Sequence, residues 1–165
     1  MAIFENPNFP LQPQKGVYGW YAQKDGQATI VIYIGMAGQK PSLIPKGTLF
    51  RGISELQRNT FTSNTSNSPY NTLDTDFIVG TAILYFERNG YSCVWSHISD
   101  NPADELRYVA EQKPILQNVS NTKIKMEFKL RKDEKDYWKT RKTQDGVKEA
   151  ERELFSLLDK TVAKK

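Results

Sequence analysis

Two short aromatic-glycine strings near the start constrain this chain most: Gly16-Val17-Tyr18 and Tyr33-Ile34-Gly35. The first opens an apolar, aromatic run, Val17-Tyr18-Gly19-Trp20-Tyr21, and the second closes another, Thr29-Ile30-Val31-Ile32-Tyr33-Ile34. Both runs are rich in β-branched and aromatic residues and read as strands. Between them lies Gln23-Lys24-Asp25-Gly26-Gln27, and Asp-Gly is a strong hairpin-turn signal. The predicted hairpin brings the phenols of Tyr18 and Tyr33 toward one locale.

The rest of the chain supplies elements to pack on that hairpin. Residues 5–15 carry three prolines and read as an extended lead-in. After a Gly- and Pro-punctuated loop, Thr48 is expected to cap a first helix with Leu49, Phe50, Ile53 and Leu56 at helical spacing. Residues 59–76 form a polar stretch of Asn, Thr and Ser, too long for an ordinary connection. Phe77–Phe86 and Tyr91–Ile98 flank Asn89-Gly90, which predicts a second hairpin. A second helix is expected from a cap at Asp100 or Asn101, with Pro102 in its first turn and Pro114 stopping it. Lys123–Leu130 alternates as a half-buried strand with a basic face. A last amphipathic helix spans 144–163, with Val147, Leu154, Leu157, Leu158 and Val162 on one side. The predicted order is β-β-α-β-β-α-β-α. This is an α+β chain with a small mixed or antiparallel sheet flanked by helices.

Composition narrows the class. At 165 residues, 38% hydrophobic and 25% charged, the chain has room for one domain with a real core. No apolar run approaches the ~20 residues that span a bilayer. The first residues show no secretion signal, so a cytoplasmic setting is expected. A single cysteine, Cys93, excludes an internal disulfide and a Cys-rich zinc module. Charge is uneven: residues 1–119 hold 9 Lys/Arg against 10 Asp/Glu, and residues 120–165 hold 14 against 9. A basic segment on a near-neutral body fits a polyanion partner, and it fits a solvated helix of mixed charge equally well.

With these residues in view, the chain resembles the GIY-YIG endonuclease family. Gly16-Val17-Tyr18 is similar to the family's first motif, and Tyr33-Ile34-Gly35 matches its second unaltered. The family then places an arginine on the first helix, where this chain has Arg51, with Arg58 seven residues on as a competitor. Next comes a strand leading to a helix that carries a glutamate, followed by Pro and Asn. Glu105, Pro114 and Asn118 fill those places, and Glu111 is the alternative carboxylate. The resemblance covers residues 16–118, leaving 119–165 as a basic strand-helix extension of a single domain. Relatives often carry His or Tyr four residues after the arginine; this chain has Glu55 there.

The resemblance implies a metal-dependent endonuclease, and the residue types suit that chemistry. Phosphodiester hydrolysis needs an activated water, a cation near the scissile phosphate and help for the leaving oxygen. Glu105 offers one hard oxygen donor for Mg²⁺ or Mn²⁺, and Arg51 a planar fork for phosphate oxygens. Tyr18 would take the water's proton if Arg51 or the metal lowers its pKa, and Tyr33 would orient water or phosphate. Lys40, Lys46, Asn118 and His97 are candidate substrate contacts. The single cysteine and the absence of a long extension direct the resemblance to the compact restriction endonucleases of the family, which usually cut duplex DNA as homodimers. There the polar 59–76 stretch and the basic C-terminal segment would wrap the DNA. The alternatives are a small repair, mobile-element, single-strand or RNA-directed nuclease, and a binding module that keeps the fold without the chemistry.

Overall fold

The computed structural model describes residues 3–4, 15–38, 47–58, 75–117 and 144–163. Among them are four strands: β1 (Ile3–Phe4), β2 (Gly16–Gln23), β3 (Ile30–Ala37) and β4 (Ser92–Ser99). Four α-helices accompany them: α1 (Thr48–Gln57), α2 (Thr75–Arg88), α3 (Glu105–Gln112) and α4 (Gln144–Ala163). A single 3-10 turn, Pro102–Asp104, leads into α3. The strands form one mixed sheet in the order β1-β4-β2-β3. β2 runs antiparallel to both its neighbours, and β1 runs parallel to β4. The chain is thus α+β, with a four-stranded mixed sheet flanked by helices.

The β2–β3 hairpin forms as its turn chemistry predicts. Gln27 N–H bonds the Lys24 carbonyl across Asp25-Gly26, and Gly26 supplies the positive φ of 77°. Alternation then divides β2 between two sides of the sheet. Tyr18, Trp20 and Ala22 belong to the main core with residues of α2 and α4. Tyr21, one residue out of phase, sends its hydroxyl to Gln112 Oε1 of α3 at 3.1 Å. Phe4 of β1 packs edge-on against Trp20 at 5.4 Å and tilted against Trp95 at 5.5 Å, so the first residues help close the core.

Phe77–Phe86 is not a strand. It lies inside the helix α2, and Asn89-Gly90 does not turn a hairpin. Ten almost uninterrupted apolar residues carry no period, because an element buried on every side needs none. Phe77, Val79, Ala82 and Phe86 are each at most 1% exposed. Gly90, at φ 85°, instead ends the helix. Tyr91 N–H reaches the Phe86 carbonyl and Gly90 N–H the Glu87 carbonyl, the bond pair of a Schellman cap. The rings of Phe86 and Tyr91 meet edge-on at 5.3 Å across that cap, supplying its usual hydrophobic contact. A glycine with positive φ serves a type I′ turn and a helix C-terminus equally well, which is why the dipeptide misleads.

Residues 75 and 76, read as part of the polar stretch, begin α2. The expected cap, Asn101, caps the 3-10 turn, its Oδ1 accepting from Ala103 N–H with Pro102 next in line, while α3 itself starts later, behind Asp104. The last helix spans 144–163 as predicted. Its Leu154 and Leu158 are fully buried in the main core, so this part of the extension is not a free arm for wrapping DNA. The predicted Lys123–Leu130 strand and most of the 59–76 stretch lie outside the described residues. No described helix is long and apolar enough to cross a membrane.

Candidate active site

The two aromatic-glycine strings come to lie against each other in register. Tyr18 pairs with Gly35 on one side and His97 on the other, and Trp20 pairs with Tyr33. The Tyr18 and Tyr33 rings stand 6.3 Å apart at 57°. Gly35 has a steric reason to be glycine: a Cβ there would sit 2.5 Å from the Tyr18 hydroxyl. The glycine of the second string makes room for the tyrosine of the first.

Helix α1 covers this pair. Its inward side is Thr48, Gly52 and Glu55, all buried, whereas the apolar Phe50 and Ile53 are exposed. Gly47, not Thr48, is the N-cap; the Thr48 hydroxyl is held at 2.9 Å from His97 Nδ1 and is spent there. Glu55 is the centre of the contact. Tyr18 Oη donates to its Oε2 at 2.8 Å, and Trp20 Nε1 donates to its Oε1 at 3.0 Å. Burial pushes the Glu55 carboxyl up to about 8, against the restraint of those two hydrogen bonds and of Arg51. The Tyr18 phenol is raised well above its ordinary value, first by burial and then by the Glu55 charge. Arg51 pulls the other way, so its expected lowering of Tyr18 is right in sign and too small to prevail.

Arg51, Tyr33 and Glu105 complete the group. Arg51 Nη2 lies 3.4 Å from Asp76 Oδ1, at the start of α2. The Tyr33 phenol is raised by burial, then by the charges of Glu55 and Glu105, with Arg51 opposing and Asp76 adding to the rise. Tyr18, Tyr33, Arg51, Glu55 and Asp76 thus face one another from β2, β3, α1 and α2, and the charge of Glu105 on α3 reaches Tyr33. Arg58 does not join them. It ends α1 with φ 55°, and its guanidinium bonds Thr81 Oγ1 at 2.9 and 3.2 Å and Glu151 at 2.9 Å. Glu111 is exposed in the last turn of α3, at the end away from Glu105.

His97 is the cross-strand neighbour of Tyr18, yet its ring is spanned by Thr48 and by Asp100 Oδ1 at 2.7 Å. That arrangement ties β4 to the start of α1. Lys40, Lys46 and Asn118 lie outside the described residues. Trp20 and Trp95 are fully buried, as expected of packing residues.

Three residues near the group were not singled out as site residues by sequence. Asp76 was hidden in the polar stretch. Glu55 stood out only as a departure at a His/Tyr position; the spacing of Thr48, Gly52 and Glu55 on one helical face is the signal that would have found it. Gln117, next to the expected Asn118, pairs its amide with Ile34. Its Oε1 accepts from Ile34 N–H at 2.8 Å, and its Nε2 donates to the Ile34 carbonyl at 2.6 Å. With Ile115 and Leu116 N–H on the Val31 and Ile32 carbonyls, this segment covers the outer edge of β3 and fixes the strand that carries Tyr33.

In comparisons with known proteins, no family model, no curated protein and no solved structure matched this chain.

Proposed function

We propose that this chain is a metal-dependent phosphodiester hydrolase of the GIY-YIG type, cutting nucleic acid, with duplex DNA as the favoured substrate. The observation that carries the reading is convergence. Two phenols, a guanidinium and a carboxylate that are spread over nearly ninety residues of sequence act on one another in space. Among the described residues Arg51 pairs with Asp76 alone, at 3.4 Å, and a guanidinium fork so placed suits phosphate oxygens. Tyr33, beside Glu105 and Arg51, is suited to orienting the attacking water or the phosphate. Among the described residues no three His, Cys, Asp or Glu side chains cluster as a metal cage. The half-exposed Glu105 suits Mg²⁺, which keeps several of its own waters and is commonly held by one or two carboxylates plus phosphate oxygens. Such an ion, when bound, supplies charge stabilisation at the phosphate and a more acidic water.

The test is incubation with Mg²⁺ and supercoiled DNA, linear duplex, single-stranded DNA and RNA. Discrete fragments from duplex DNA are expected. Glu105→Gln should lose cleavage while retaining binding, since the charge it holds acts at the phosphate and not on the fold. Wild-type rates in Glu105→Gln would sink this site. A second reading has one observation in its favour: Tyr18 is 1% exposed, as a core tyrosine would be. Under it the protein binds nucleic acid without cutting, and the wild type would shift DNA mobility yet leave all four substrates intact.

A further inference from the structure

Tyr18 cannot serve as a simple base in this structure. A neutral phenol takes a proton only if it gives up its own, and burial beside Glu55 opposes the phenolate. The Tyr18 proton, however, already points at an acceptor. Glu55 Oε2 is 2.8 Å from Tyr18 Oη, within proton-transfer reach, and its other oxygen is fixed by Trp20 Nε1. We infer that Glu55 is the positioning residue that receives the Tyr18 proton, making Tyr18 a relay between the attacking water and a buried carboxylate. The inference rests on the nuclease reading.

The step balances within groups on hand. As the water oxygen forms its bond to phosphorus, its proton passes to Tyr18 Oη and the Tyr18 proton passes to Glu55 Oε2. The P–O bond to the leaving oxygen breaks with its electron pair, and that oxygen is protonated from solvent. Glu55 then returns a proton to Tyr18 as the phenol releases one to solvent. The geometry also explains why a carboxylate can stand at this place. Glu55 is fully buried, so it is a stronger proton acceptor than an exposed carboxylate would be. The charged and titratable groups that face it are Tyr18 on β2, Tyr33 on β3, Arg51 on its own helix and Asp76 on α2.

The relay needs Glu55 ionised, so cleavage by the wild type should climb with pH and level off above about 8. Glu55→Gln keeps the size and an acceptor for Tyr18 but cannot take a proton. It should lose that limb and ~10²–10⁴ in rate, with DNA binding unchanged. Glu55→Asp should recover part of both. Tyr18→Phe combined with Glu55→Gln should be no slower than either alone, because the two act as one unit. A wild type that cuts alongside a Glu55→Gln variant with the same rate and pH profile overturns the relay and leaves the nuclease reading standing. A wild type that cuts none of the substrates overturns both. One readout is independent of activity: the carboxyl titration of ¹³C-glutamate-labelled protein. One glutamate should titrate near pH 8 and move further up in Tyr18→Phe, which removes a hydrogen bond to the carboxylate. If every carboxyl titrates in the ordinary range, Glu55 is not the acceptor.

Discussion

Arg51 and Arg58 sit seven residues apart on one helix, and the protein treats them in opposite ways. Arg58 is tied into the fold: Thr81 of α2 takes two of its five donors and Glu151 of α4 takes a third, with Arg88 also reaching Glu151 at 3.3 Å. That end of α1 is a joint between three helices. Among the described residues Arg51 has one ion pair, at 3.4 Å, and otherwise faces two raised phenols and a buried carboxyl. A cation with most of its donors matched by its own protein is holding structure. A cation left under-matched in a group of perturbed acids is placed to meet an anion from outside. The difference lies in the partners that α2 and α4 bring, not in the helix itself.

The largest expected effect is a double dissociation between the two. Arg51→Ala should reduce cleavage by ~10²–10³, the range for losing one pre-placed donor to a developing charge, with a melting temperature close to wild type. Arg58→Ala should do the reverse. It removes the three matched donors and should cost about 1–3 kcal/mol of stability, with the rate per folded molecule preserved. Thermal melts and single-turnover cleavage on the same preparations measure both. If Arg51→Ala melts early and cuts normally, the contrast between the two ends collapses.

A second measurement sharpens the contrast through pH. Glu55 lies on the same inward side, and its carboxyl is raised from the ordinary glutamate range to about 8. The folded protein therefore holds a proton that the unfolded chain releases. Its contribution to stability is complete below the ordinary glutamate pKa and is lost as pH rises through about 8. At full burial this is on the order of a few kcal/mol. The melting temperature should fall between about pH 5 and 8, and Glu55→Gln should flatten that fall. A wild-type melting temperature that rises across the window would mean that Glu55 is ionised and paired in the fold.

The contrast also marks what was legible in the sequence. The β2–β3 hairpin was, because Asp25-Gly26 and the β-branched runs are local signals with local causes. The turn into α3 was, because Asn101 and Pro102 act within a few residues of themselves. The order and spacing of motifs singled out Tyr18, Tyr33, Arg51 and Glu105; the structure sets the two phenol rings 6.3 Å apart, with the charges of Arg51 and Glu105 acting on Tyr33. Helix α2 was not legible, since its burial on every side erases the period on which the reading depends. The facing of α1 was not either. Hydrophobicity points Phe50 and Ile53 inward, whereas the buried side is chosen by what β2 and β4 offer: an indole and a phenol on β2 that donate to Glu55, and the Trp95 indole on β4, beside which only Gly52 fits. A buried glutamate is legible only once its donors are known, and those lie more than thirty residues away.

The smallest expected effect probes how α1 is held at its far end. Gly80 of α2 faces the C-terminal turn of α1, where a Cβ would run into the Glu55 carbonyl and the Arg58 Cγ. The arginine's methylene can swing aside, but the carbonyl belongs to the helix backbone and cannot move alone. Gly80→Ala should force α1 and α2 apart at a cost of about 1–3 kcal/mol, from which the better helix propensity of alanine takes back up to ~1 kcal/mol. The net is a small loss, visible as a lower melting temperature. Because Arg58 pins this end and Glu55 begins the same turn, the displacement should also loosen the Tyr18–Glu55 hydrogen bond. The carboxyl titration near pH 8 should then move up in Gly80→Ala. A lower melting temperature with that titration unmoved would mean that the two ends of α1 are independent, with the joint bearing on stability alone. A higher melting temperature would mean that the helices have room to spare, and the close approach would not be what fixes Glu55 over Tyr18.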